Sequence, residues 1–486
     1  MAPTLCSRCG DAFDEGCDPR EELAELDALL ERLTLKRYDL KRKINQFHSP
    51  ILRQLSPDIT STIFEFCLPN FADHRGDHLP LSMKKNHSLP LSRGAICSYW
   101  RDIAWSTPSL WSSLMFWDTH GFNSRTITGV VKEWLARSGR LPLSIRISSA
   151  YYNETVSTLV DIINQYSTRW FDLDLDIPDR CYERFHVTDN HAPILKSIRF
   201  HCTPDDIVGG TLNFELTCPR LERASLSYFS GETNIQWDNL SHLTLYSMSI
   251  IDSFHILRKT PRLVFFEISG CCRHTSNEQP LTTPVLTSLR SLHLLIDSSD
   301  AEYFLGNLIA PHLEEFRLPT RYIPRIEVVT SFLRKSACSL RSMILCNFLS
   351  YFDGFMNLLQ SMPSLSTLSI LTFEKCRPQI ILQLVAKILY SQSTSLQQGF
   401  LPNLKILEFT GELYLCPGDY EDPYSLPPAH NVVHGPFRLL KLDLYQTTRI
   451  PEKMISYISN LEERGVKVNV SSGSEDILQS SKVERL

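Results

Sequence analysis

The sequence predicts an α+β chain in two parts: a small all-α domain, then an α/β solenoid with a curved parallel sheet. Three observations carry that prediction. Between Ser49 and Leu114, apolar residues recur at helical spacing in short runs opened by capping residues and proline. From Trp170 onward, the pattern apolar-x-x-apolar-x-apolar returns eleven times. Over residues 18–48, leucines at alternating steps of three and four predict one long amphipathic helix. A chain of 486 residues is long enough for two or three such cores.

Residues 1–17 read as a disordered leader. Cys6, Cys9 and Cys17 lie there without a fourth metal ligand at zinc-site spacing. Asp18-Pro19-Arg20-Glu21 then has the form of a helix start, with a cap, proline in the first turn and an acid three residues on. Leu23, Leu26, Leu30, Leu33, Leu40, Ile44 and Phe47 follow as an a/d seam, broken once by Arg37. Its first half is acidic and its second basic. About three heptads is short for an isolated coiled coil, so packing within the chain is expected, with homodimerisation through 18–48 as the second reading.

Residues 49–114 divide into three helices. Ser56 caps the first, Pro57 fits its first turn and Asp58 suits its positive end. Ile59, Ile63, Phe64 and Cys67 form one apolar stripe. A loop over Asn70–Leu89, with His74 and His78, precedes a helix through Ala95, Ile96, Tyr99, Trp100, Ile103 and Ala104. Thr107-Pro108 opens the third, with Leu110, Trp111 and Leu114. Helices this short need a neighbour to complete their core. The run from Pro50 to Ile59, followed by Ile63-Phe64, resembles the opening of an F-box. The run from Ile96 to Ala104, then Ser106 to Trp111, is similar to its second half in the fungal group of such proteins. Ser56 replaces the usual proline, Asp58 the usual glutamate, and the loop between the halves is long. The resemblance implies a surface for the Skp-type adaptor of a cullin–RING ubiquitin ligase, carried by Leu55, Pro57, Ile59, Ile63, Phe64 and Trp100.

Residues 115–140 are expected to form a linking helix through Val130, Val131, Trp134 and Leu135, ending near Gly139. Alternation at Leu143, Ile145 and Ile147 predicts a strand. The eleven matches begin at Trp170, Leu195, Leu221, Leu240, Leu263, Leu289, Leu313, Leu340, Leu365, Leu404 and Leu439. Their spacing is 19 to 27 residues up to Leu365, then 39 and 35. Helical spacing at Ser331–Leu333, Phe355–Leu359 and Ile380–Leu389 supplies return segments. Residues 141–470 thus resemble leucine-rich repeats. That family often places Asn or Cys three residues past the last apolar position. Here those positions hold Thr203, Phe229, Met248, Cys271, Asp297 and Arg321, and only Cys271 fits. The Gly411–Gly435 segment interrupts the late repeats as a binding loop or plain disorder, and 471–486 reads as a disordered tail.

No phosphate loop, nucleophile elbow or His-Glu-x-x-His motif is present, and Cys271-Cys272-Arg273-His274 reads as a turn. A non-catalytic chain without cofactor or metal is therefore expected. With 49 basic and 54 acidic residues, the net charge of −5 gives no field for nucleic acid. No apolar run has membrane-span length, and scattered cysteines suit the cytoplasm or nucleus. Recognition of a protein is the better expectation. Side chains between the buried strand positions face the open side, where Asp172, Asp174 and Asp176 form an acidic strip. Arg199, Arg223, Tyr246, Phe265 and His293 follow as substrate-binding candidates. Taken with the two resemblances, the expected role is the substrate-recognition subunit of a Skp–cullin–F-box ligase. The alternative is a repeat scaffold without ligase association.

Overall fold

The computed structural model describes residues 19–48, 55–68, 89–117, 124–182, 184–185, 191–203, 210–211, 215–230, 234–270, 283–319, 324–347, 352–373, 375, 378–393, 399–412, 435–445, 452–472 and 475–476. Helix and strand are mixed, with one large parallel sheet. The chain divides into two compact units: Met1–Leu114 with Val130–Leu141, and Met115–Gly129 with Pro142–Leu486. The expected leader, the His74/His78 loop, the Cys271–His274 cluster and nearly all of the Gly411–Gly435 insertion lie outside the described residues.

In the first unit, helix α1 spans Pro19–His48, α2 Pro57–Phe66, α3 Leu89–Gly94 and α4 Ser98–Ser106. A 3-10 turn covers Pro108–Trp111, and α5 runs from Ser124 to Arg137. The helix expected through Ala95–Ala104 begins later, at Ser98, with Ala95 and Ile96 in a turn. α3 ends at Gly94, and the extended backbone of Cys97 starts α4, its Sγ accepting the Trp100 N–H at 3.4 Å. The expected linking helix is also shorter than 115–140, because Ser113–Trp117 is strand β1. Aromatic Phe116 and Trp117 favour the extended state there.

The neighbour that the short helices need is the C-terminal part of α5. Trp134 packs edge-on against Trp111 at 4.9 Å, and Val131 and Leu135 are buried. Trp111 donates its indole N–H to the Ala104 carbonyl at 2.7 Å. The Arg137 guanidinium sits over both Trp105 and Trp111, at 5.2 and 5.3 Å.

α1 does not follow the expectation of packing within the chain. Every described side chain from Leu23 to Ile44 is exposed, and the leucine and isoleucine seam lies between 51% and 61% exposed. The described helical core closes on its own tryptophans, and α1 stays outside it.

In the second unit the strands are β2 Leu143–Ser148, β3 Trp170–Pro178, β4 Ser197–Thr203, β5 Gly210–Thr211, β6 Glu215–Leu216 and β7 Arg223–Ser227. Then come β8 Phe229–Ser230, β9 Asn234–Ile235, β10 His242–Tyr246, β11 Phe265–Ser269, β12 Ser291–Leu295 and β13 Glu315–Leu318. β14 Ser342–Cys346, β15 Thr367–Leu371, β16 Ile406–Gly411, β17 Leu439–Leu444, β18 Lys467–Ser472 and β19 Glu475–Asp476 complete the set. Among the described residues, one 15-stranded sheet takes β1 and fourteen of these strands in chain order, while β5–β8 and β6–β9 pair separately. Pairing is parallel at each step from β2 to β18, and β19 turns back antiparallel. The strand reaching Ser472, followed by Glu475–Asp476, corrects the expectation of disorder from residue 471. Alternate Val468 and Val470 bury into the sheet and extend it that far.

All eleven predicted segments form strands of this sheet, and their apolar side chains are buried together. One frame needs correction. The last match was read from Leu439, yet Leu440 pairs with Leu407 and Leu442 with Phe409. The buried triplet is therefore Phe437, Leu440 and Leu442, and Leu439 faces the other side. Four leucines between 439 and 444 satisfy both frames, and the neighbouring strand decides between them.

Helices return between strands at Glu154–Asn164, Ile250–Arg258, Ser298–Gly306, Ile326–Ser336, Phe352–Gln360, Pro378–Ser393 and Glu452–Glu463. Aromatics tie them to the sheet: Phe304 stacks on Phe254 at 4.8 Å and on Phe266 at 5.6 Å. The strand-end feature that recurs is not the Asn or Cys sought three residues past the last apolar position. Two residues past it, Tyr228, Ser247, Gly270 and Asn347 all take left-handed backbone, with φ between 49° and 59°. Each donates its N–H to the next strand's end, to Tyr246, Ser269, Leu295 and Leu371 respectively. Gly270 takes this conformation freely, whereas Tyr228 and Ser247 hold it at a cost of about 1 kcal/mol each.

Candidate protein-docking surfaces

Two surfaces, one in each unit, combine exposure with chemistry suited to a protein partner. The first is α2. Ser56 caps it by accepting the Ile59 N–H at 3.3 Å, and Thr60 donates back to the Ser56 carbonyl at 3.0 Å. The Ser109 hydroxyl donates to the Glu65 carboxylate. Thr60 and Phe64 turn inward, Phe64 meeting Trp100 edge-on at 5.1 Å. Ile59 at 50%, Ile63 at 43% and Phe66 at 86% stay exposed.

At 100° per residue, Ile59, Ile63 and Phe66 fall within an arc of roughly 60°, and Thr60 and Phe64 lie on the adjoining face. The single stripe read from the sequence therefore separates into two. Phe64, only 2% exposed, is core, and Trp100 packs against it half-buried. Pro57 is exposed, and Leu55 is half-buried with its carbonyl accepting from the Tyr99 hydroxyl at 3.5 Å. Phe66 was not among the predicted docking residues. Its distance of three from Ile63 was the available signal.

The second surface is the open face of the sheet, where register aligns side chains in rows. One row runs Arg146, Asp174, Arg199, Ser225, Thr244, Glu267, His293 and Arg317. The predicted acidic strip lies on this face but is not a free one. Asp174 is 7% exposed and receives both Nε and a terminal nitrogen of Arg146, at 2.6 and 2.5 Å, with Arg199 at 3.9 Å. Asp172 and Asp176 accept from Ser144 and Ser148 at 3.4 and 3.1 Å. Sequence reasoning missed this because the basic partner, Arg146, sits 28 residues earlier, on a strand outside the repeat count.

His293, also nearly buried, is central to a second cluster. Its Nδ1 lies 3.1 Å from Glu267, and its Nε2 lies 3.0 Å from the Ser291 hydroxyl and 3.7 Å from Glu315. Phe265 meets its ring edge-on at 4.8 Å. Burial of the Glu315 carboxyl opposes its ionisation. Hydrogen bonds from Arg317 at 2.7 Å and Ser291 at 3.0 Å outweigh that and hold it below its ordinary value. Arg223 and Tyr246 are half-exposed, with Tyr246 beside His201 at 5.5 Å. Further along, half-exposed Ile344, Leu371, Ile406 and Leu439 add apolar side chains to the face, beside an ion pair of Glu408 with Lys441 at 2.6 Å.

Among the described residues no group of three or more His, Cys, Asp or Glu side chains is arranged to hold a metal ion. Cys6, Cys9 and Cys17 lie outside them. No described helix is long and apolar enough to cross a membrane. Comparison of the sequence with protein-family models gives no match, and comparison with curated proteins gives none.

Proposed function

We propose that the chain is the non-catalytic substrate-recognition subunit of a Skp–cullin–F-box ubiquitin ligase. Its helical unit is then an F-box, and its strand-rich unit a leucine-rich-repeat solenoid that holds a target protein. The observation that carries this reading is α2, whose Ile59, Ile63 and Phe66 remain exposed while its other face closes a core. Exposed apolar side chains grouped on one helix face mark an interaction site. In this reading Pro57, Ile59, Ile63 and Phe66 meet the Skp-type adaptor, while Phe64 and Trp100 hold the helix in place. The open face, which carries charged clusters and half-exposed apolar side chains, supplies the mixed chemistry of a protein-recognition surface. The chain makes no bond. Tethering raises the effective concentration of a target lysine beside a charged ubiquitin carrier and restricts its orientation. The cytoplasm or nucleus, where such ligases work, is the proposed compartment.

The test is binding of the full chain to the Skp-type adaptor, compared with Ile59→Asp/Ile63→Asp. Both residues are exposed, so this variant is expected to fold, which circular dichroism checks, whereas Phe64→Asp buries a charge and tests folding instead. Binding lost in the folded double variant supports the reading. No binding by the unchanged chain moves the assignment to a repeat scaffold without ligase association.

A further inference from the structure

The seam of α1 is the largest regular apolar surface that the proposed function leaves unused. In heptad terms Leu23, Leu30, Arg37 and Ile44 take the a positions, and Leu26, Leu33 and Leu40 the d positions. A helix of 30 residues is about 45 Å long, and none of its described side chains is covered.

Charge selects the cover. Residues 19–33 carry five acidic and two basic side chains, and residues 34–48 carry five basic and one acidic. A parallel pair sets acid beside acid and base beside base, and brings the two Arg37 guanidiniums together in the seam. An antiparallel pair sets each acidic half against a basic half. In the register that sets Arg37 against Leu26 of the second copy, Asp27 lies beside it at an e position. α1 itself offers both a leucine seam and the complementary charge order when turned end for end.

We infer that α1 is covered by α1 of a second copy in an antiparallel coiled coil, which makes the chain a homodimer. This inference does not rest on the ligase reading.

Sedimentation equilibrium of the full chain tests it. The expected mass is twice 55.8 kDa at micromolar concentration, falling to the single-chain mass in Leu30→Asp/Leu33→Asp. Orientation is read from charge. Glu25→Lys/Asp27→Lys/Glu31→Lys should weaken the dimer by about tenfold or more. Adding Lys36→Glu, Arg37→Glu, Lys41→Glu and Lys43→Glu to that variant should restore it. A single-chain mass for the unchanged protein overturns the inference, as does a dimer that survives Leu30→Asp/Leu33→Asp. A triple-lysine variant that dimerises as tightly as the unchanged chain overturns the antiparallel arrangement, because a parallel pair merely exchanges one like-charge repulsion for another.

Discussion

Leu30 and Leu294 are the same residue in equally regular apolar patterns. Leu30 is 61% exposed on α1, and Leu294 on β12 is wholly buried. The patterns differ in what they bring with them. Each strand triplet is followed by another of the same frame, so the neighbouring strand and the returning helix supply the covering surface. α1 occurs once, and the helical unit that follows closes on its own tryptophans. Periodicity therefore specifies a face, and burial requires a complement that the pattern does not contain.

The comparison fails if the polar side of the strands proves as dispensable as the surface of α1. Asp174→Ala strands Arg146 beside a half-buried Arg199 and should cost about 3–5 kcal/mol. Urea denaturation followed by tryptophan fluorescence checks it. Loss near zero would mean that this pair is only surface. Leu294→Ala should follow, at about 2–5 kcal/mol in the same assay. Its matched partner, Leu30→Ala, should stay within about 0.5 kcal/mol while loosening the dimer.

A smaller effect comes from acid. Glu315 is held below its ordinary pKa in the folded chain, so its stabilising contribution is full at neutral pH. It disappears as pH falls through the folded value, below the usual carboxylate range. Glu315→Gln should flatten the acid limb of the stability profile there, leaving the profile above the ordinary carboxylate pKa parallel to that of the unchanged chain. An unaltered acid limb would show that the carboxylate has no net folded-state advantage.

The strands were readable because leucine recurrence at 19–27 residues encodes the side chain's face directly. Leu439 shows where that reading stops, since four leucines in six residues fit two frames and only β16 chooses one. The open-face residues were placed on the right side of the strands, yet their availability was not readable. Asp174 looked like part of a negative strip until Arg146 arrived across 28 residues of chain. On α2, Ile59 and Phe64 shared one apparent stripe, and it took Trp100 to draw Phe64 inward and leave Ile59 out.

The sequence by itself determined the local elements: the cap at Ser56, the proline starts, the helical and strand periods, and the charge order along α1. These depend on interactions within a few residues, which the chain carries wherever it goes. The tertiary structure alone decided which apolar faces are covered, which carboxylates are neutralised, and that residues 130–141 complete the helical core. Those outcomes depend on groups brought together from distant parts of the chain, and spacing along one segment holds no record of them.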